Sequence, residues 1–191
     1  MIQPELSSAL VPVLDAFERL GAAHFVCGSI ASSAHGVPRA SLDADVVADL
    51  TAGHADTLID ALERDFYVPD QRIRDAIREG TSFSVVHLET MLKVDVFVVG
   101  ASDLRRRELG RIWRARLDTG RELPVASPED TVLAKLAWFR RGGEVSERQW
   151  TDVIGLLRVA ARMDAEYLET GATAHGVSDL LRRALSEADT R

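Results

Sequence analysis

The stretch KVDVFVV, residues 93–99, constrains the fold more than any other part of the chain. It is an apolar strand interrupted by one carboxylate, Asp95, and burying an unpaired carboxylate is costly. Asp95 therefore needs a partner on its own strand face. Lys93, two residues earlier, shares that face and offers a salt link. The other solution is a cation shared with acids on a neighbouring strand, and LDADVVADL, residues 42–50, supplies such acids. Side chains alternate along a strand, so Asp43 and Asp45 project to one side about 7 Å apart, with Ala44 on the other. Carboxylates that close repel unless a cation lies between them. Mg2+ suits the position, because it takes hard oxygen ligands and combines one or two carboxylates with substrate phosphates. A strand end carrying solvated acids is the plain alternative.

The order of elements around these strands predicts an α+β fold, a mixed sheet flanked by helices. Residues 4–20 set Leu6, Leu10, Val13, Leu14 and Phe17 on one helical stripe. AAHFVCG reads as a short buried strand ending at Gly28, and a helix starts at Ser29 and stops near Gly36 and Pro38. Residues 54–66 read as a helix with Leu58, Leu62 and Phe66 aligned. FSVVHLE and MLKVDVFVVG read as two strands about a turn at Glu89–Thr90, and IWRARLDTGRELPVA as strand, turn and strand around Thr119–Gly120. Beyond that the pattern is helical, opening with Ser127 as N-cap, Pro128 at the first position and an acid at the third. Further helices are expected in residues 146–163 and 177–188. An α/β core over residues 1–126 and a helical C-terminal subdomain over residues 127–191 are the expected organisation.

Charge narrows the choice of partner. A net charge of −7 argues against a protein that coats nucleic acid. Residues 1–100 hold 7 basic against 15 acidic side chains, and residues 101–191 hold 16 against 15, so an anionic partner would meet local features only. One such feature is RRRELGRIWRAR, residues 105–116, with six arginines against Glu108. In its strand portion Arg114 and Arg116 share one face and Trp113 and Leu117 the other; a solvated hairpin and an RNA-backbone contact are both open readings. No apolar run approaches the roughly 20 residues of a membrane span, and the N-terminus lacks a signal-peptide profile. A soluble, cytoplasmic protein without a membrane partner is the expectation. The lone Cys27 excludes an internal disulfide and reads as a small buried residue. His24 and His35 are weak candidates for extra metal ligands, since the acids suffice for magnesium.

Gly28-Ser29, between a strand end and a helix start, offers close backbone approach, N–H groups and a hydroxyl, the parts of a phosphate cradle. An ordinary tight turn uses the same residues. Taken together, Gly28-Ser29, a gap, Asp43-x-Asp45 and a later lone Asp95 resemble the pattern of the DNA polymerase beta-type nucleotidyltransferases. The runs HGVPRASLDAD and AKLAWFRRGGEVSERQWTDV are similar to the AbiEii and MenT type of minimal nucleotidyltransferases, the toxin halves of toxin–antitoxin pairs. The interval from Ser29 to Asp43 is longer than in several toxins of that group.

This resemblance implies a mixed sheet that carries the transfer of a nucleoside monophosphate from an NTP, with release of pyrophosphate. Gly28 and Ser29 would hold the β and γ phosphates, Asp43 and Asp45 would bind two Mg2+ ions, and Asp95 would complete one metal site and activate the acceptor hydroxyl. It also places Lys135 at the nucleotide phosphates and Asp152 in the helix that helps build the site. Arg39 and Ser41, just ahead of Asp43, are further candidates for the triphosphate. Lys135 is one of two lysines beside 21 arginines and lies at the edge of the stripe Val132, Leu136 and Phe139, where a lysine can bury its stem and point its ammonium into a cleft; a snorkelling surface lysine is the plain alternative. Asp152 lies opposite Trp150, Ile154 and Leu157 and reads equally as a solvated acid. The Arg105–Arg116 segment makes an RNA 3′ end, that of a tRNA, the expected acceptor, with an antitoxin protein as partner. An aminoglycoside-type small-molecule transferase and a catalytically silent nucleotide- or partner-binding domain are the alternatives.

Overall fold

The computed structural model describes residues 4–38, 41–116, 120–159 and 163–190. The chain divides into two compact units, the first of Met1–Ile30 and Ala40–Ala126 and the second of Ala31–Arg39 and Ser127–Arg191.

Among the described residues of the first unit, seven strands form one sheet: β1 (His24–Val26), β2 (Asp43–Ala48), β3 (Phe66–Tyr67), β4 (Ser82–His87), β5 (Lys93–Val98), β6 (Trp113–Arg116) and β7 (Glu122–Val125). Their order is β3-β4-β5-β2-β1-β7-β6. The sheet is mixed, as the sequence predicts: β2 pairs in parallel with β5 and antiparallel with β1, and β1 runs parallel to β7. With α1 (Pro4–Leu20), α2 (Gly28–Ala34, whose residues from Ala31 onward fall in the second unit), α3 (Ala55–Leu62), α4 (Asp70–Glu79) and α5 (Asp103–Leu109), the result is an α+β fold.

Alternation gives the central strands two different faces. Ala44, Val46 and Ala48 of β2, Val94, Val96 and Val98 of β5, and Phe83 and Val85 of β4 are all buried, as are Leu10, Leu14 and Phe17 of α1, Leu58 and Leu62 of α3 and Ile73 of α4. Each large side chain among them contributes roughly 1.5–3 kcal/mol by leaving water. The opposite face carries Asp43, Asp45, Lys93 and Asp95, all partly exposed. A one-residue slip of β2 or β5 would exchange the two sets, so the apolar residues fix the register that the polar ones occupy.

Some elements differ from expectation. The helix read over residues 54–66 ends at Leu62, because Phe66 instead opens β3 and pairs opposite His87 of β4. A 3-10 turn, Ala52–His54, precedes it. Helices α4 and α5 were not anticipated; α4 is mostly charged and buries only Ile73, Ala76 and Ile77.

In the second unit, α6 (Pro128–Arg141), α7 (Glu147–Val159), α8 (Ala165–Ala174) and α9 (Ser178–Asp189) enclose a core that includes Leu133, Leu136, Phe139, Trp150, Leu156, Leu168 and Leu181. Ser127 caps α6 as predicted, its Oγ accepting from the Asp130 N–H at 3.0 Å. Helix α8 was not foreseen.

Two glycines approach each other closely where α4 ends. Gly80 and Gly100 both have left-handed φ, 65° and 56°, and a Cβ on Gly100 would come within 2.8 Å of the Gly80 Cα. Gly100→Ala is expected to destabilise the protein by about 2 kcal/mol, from the left-handed backbone and the forced separation. A lower urea midpoint with unchanged slope is the expected readout.

Candidate functional site

The parallel register of β2 and β5 sets Asp45 opposite Asp95 and Asp43 opposite Lys93. Antiparallel pairing of β4 with β5 then brings Ser84 opposite Asp95. Three carboxylates, an ammonium and a hydroxyl thus share one face of three adjoining strands. Ser41 Oγ donates to Asp43 Oδ1 at 2.8 Å. Ser84 Oγ donates to Asp95 Oδ1, and Lys93 Nζ lies 2.6 Å from Asp95 Oδ2, so the salt link open in the sequence is formed. The hydrogen bond to Asp95 raises the Lys93 ammonium above the ordinary lysine pKa against partial desolvation, and the charges of Asp95, Asp43 and Asp45 add to it.

Gly28 stands against this face. Its φ is 62°, and a Cβ there would fall 2.0 Å from Asp45 Oδ2, so no side chain fits while Asp45 holds its position. The preceding residue anchors the turn to the strand: the Cys27 N–H donates to the Asp45 carbonyl at 2.8 Å. Cys27 itself is partly rather than fully buried, because β1 ends at Val26 and leaves it in the turn. Ser29 lies in the first turn of α2, partly buried. Arg39 falls outside the described residues.

The donor chemistry of Asp43 and Asp45 fits a divalent cation. Asp95 is in register beside them, but each of its oxygens already has a protein donor. Among the described residues, no three His, Cys, Asp or Glu side chains converge to hold a metal ion. His24 is buried in β1, its Nδ1–H donating to the Ala22 carbonyl at 2.9 Å and its ring packed on Phe17.

In the helical unit, Lys135 Nζ lies 2.8 Å from Asp152 Oδ2 and 3.4 Å from Gln149 Oε1. Their side chains are only 6% and 9% exposed. The solvated reading of Asp152 is therefore corrected: α7 packs against both α6 and α9, and a helix flanked on two sides buries more than its apolar stripe. The surface-lysine alternative for Lys135 is set aside with it.

The arginine-rich segment splits in two. In α5, Arg105 donates to the Val98 carbonyl with its guanidinium 5.7 Å from the Phe97 ring centre, and Arg106 donates to the Gly100 carbonyl at 2.8 Å. In β6, at one edge of the sheet, Trp113, Arg114 and Arg116 are exposed, and Arg116 lies 3.7 Å from Glu122. Leu117 lies outside the described residues. The signal for Ser84 is the alternation SFSVVH, which sets Ser82 and Ser84 on one face; only the strand pairing tells that Asp95 is the neighbour.

No protein-family model matches this chain, and no curated protein matches it by sequence. Solved structures do. The lincosamide antibiotic adenylyltransferase LnuA with lincomycin bound is similar with a TM-score of 0.54 at 17% identity, over 83% of this chain and 98% of its own. ANT(2'')-Ia in complex with adenylyl-2''-tobramycin is similar with a TM-score of 0.58 at 16% identity, over 88% and 95%. An antigenic nucleotidyltransferase-like protein from Paracoccidioides brasiliensis gives 0.57 at 18% identity, over 97% and 94%. The fold is that of the nucleotidyltransferases.

Removing one partner of a buried ion pair leaves the other charge uncompensated. Asp152→Leu is expected to lower stability by about 3 kcal/mol. Adding Lys135→Met should restore most of that loss, and urea unfolding of the two single variants and the double variant measures the coupling.

Proposed function

We propose that the chain is a metal-dependent nucleotidyltransferase that moves a nucleoside monophosphate from an NTP to an acceptor hydroxyl. One observation carries this reading: Asp43, Asp45 and Asp95 share one face of adjoining parallel strands, with the side-chain-free Gly28 against Asp45. The fold agrees with it.

In this reading Asp43 and Asp45 hold the cation, and a divalent ion bound there supplies Lewis-acid polarisation of the phosphoryl oxygens and screening of the leaving pyrophosphate. The turn at Gly28 and Ser29 receives the β and γ phosphates through backbone N–H groups and the Ser29 hydroxyl. Ser41 holds Asp43 in place. Each oxygen of Asp95 keeps a second lone pair beside its bonds to Ser84 and Lys93. Asp95 accepts the proton of the acceptor hydroxyl as that oxygen attacks the α phosphorus and the bond to pyrophosphate breaks.

Two acceptor classes have support. Exposed Trp113, Arg114 and Arg116 on an edge strand suit an RNA backbone and base, which is the toxin reading, with tRNA as acceptor and an antitoxin as partner. Structures of similar fold hold lincomycin and adenylyl-tobramycin, and the acidic balance of residues 1–100 suits a cationic amino sugar.

The test is incubation with Mg2+, each α-labelled NTP, and either total RNA or a panel of aminoglycosides and lincosamides. Label in the tRNA band supports the toxin reading; label in small molecules supports the other. Asp43→Asn and Asp45→Asn should each lower transfer at least about 100-fold with the fold intact. Full transfer by either variant would overturn the mechanism. If RNA is the acceptor, changing Arg114 and Arg116 together to Ala should lower the slope of log affinity against log salt by about 2 and leave NTP affinity unchanged.

A further inference from the structure

Asp95 is the acid that a second metal ion would need, and the protein has already given it a cation. Lys93 Nζ sits 2.6 Å from Oδ2, Ser84 holds Oδ1, and the Asp95 side chain is 19% exposed. Register fixes the ammonium in the middle of the site, since Lys93 is opposite Asp43 on β2 and two residues from Asp95 on β5. A divalent ion on Asp95 would have to displace a charge-assisted hydrogen bond. The residue type is also telling. The chain carries 23 lysines and arginines, only two of them lysine, and a lysine is a compact point charge where an arginine is a broad planar fork.

We propose that Lys93 is a built-in cation standing in place of a second metal ion, so that this face takes a single divalent ion, on Asp43 and Asp45. The proposal rests on the reading of those two acids as metal ligands. Lys93 then serves as a positioning residue. It orients the Asp95 carboxylate without a metal of its own, and its charge is present before any nucleotide arrives.

The experiment counts ions rather than turnover. The nucleotide-free 191-residue chain is titrated with Mn2+, and the free ion is followed by its electron paramagnetic resonance signal. The wild-type chain is expected to bind one Mn2+, and Lys93→Met to bind two, with the spin-coupled spectrum of a close pair. Lys93→Arg, which keeps the charge, should still bind one. Lys93 is 45% exposed, so Lys93→Met should fold, and circular dichroism checks it. Two ions on the wild-type chain would overturn the proposal and leave the metal reading standing. One ion on both wild type and Lys93→Met would do the same. No ion on the wild-type chain would remove the metal reading, and this proposal with it.

Discussion

Everything about the site follows from the parallel pairing of β2 with β5. Parallel neighbours cannot be joined by a tight turn, and here the connection runs through α3, β3, α4 and β4 before the chain returns as β5. The pairing is held by the apolar side of both strands, where Ala44 faces Val94, Val46 faces Val96 and Ala48 faces Val98. The same register makes Asp45 a neighbour of Asp95 and Asp43 a neighbour of Lys93. Core packing and site geometry are therefore one constraint read from two faces of a sheet.

Gathering carboxylates is electrostatically costly, and the structure offsets the cost locally. Each of Asp43 and Asp95 accepts from a serine hydroxyl two residues or one strand away, and Lys93 supplies the opposite charge. Asp45 is fixed differently: its backbone carbonyl accepts from Cys27, and Gly28 leaves room for its carboxylate. The β1–α2 turn and β2 are thereby coupled, since any side chain at Gly28 would push on Asp45.

The sequence made the sheet legible where alternation was clean. DADVVA and KVDVFV each separate apolar from acidic residues by strict period two, so strand type and the shared face of Asp43 and Asp45 follow from local pattern. The register between those strands does not, because residues 48 and 93 are far apart and only packing aligns them. Helix α3 shows the opposite failure. Phe66 continues the spacing of Leu58 and Leu62, yet strand pairing with His87 takes it out of the helix. Helix α4 escaped notice because its stripe is narrow, two isoleucines and an alanine among charges. Asp152 was read from one helical face as though α7 had one neighbour, and it has two.

Both lysines of the chain are bound to aspartates, and the difference in their surroundings separates their roles. Lys135 and Asp152 are almost wholly desolvated, and the contact between them offsets the cost of taking two charges out of water. Such a pair is little screened by salt and is rigid, a fixture of the helical unit. Lys93 and Asp95 are 45% and 19% exposed, so solvent screens their attraction more than it does that of the buried pair. A cation that competes with metal must sit where ions can reach it, and Lys93 does. The buried lysine satisfies the opposite condition, and its charge is therefore indifferent to the ionic conditions that govern the acidic face.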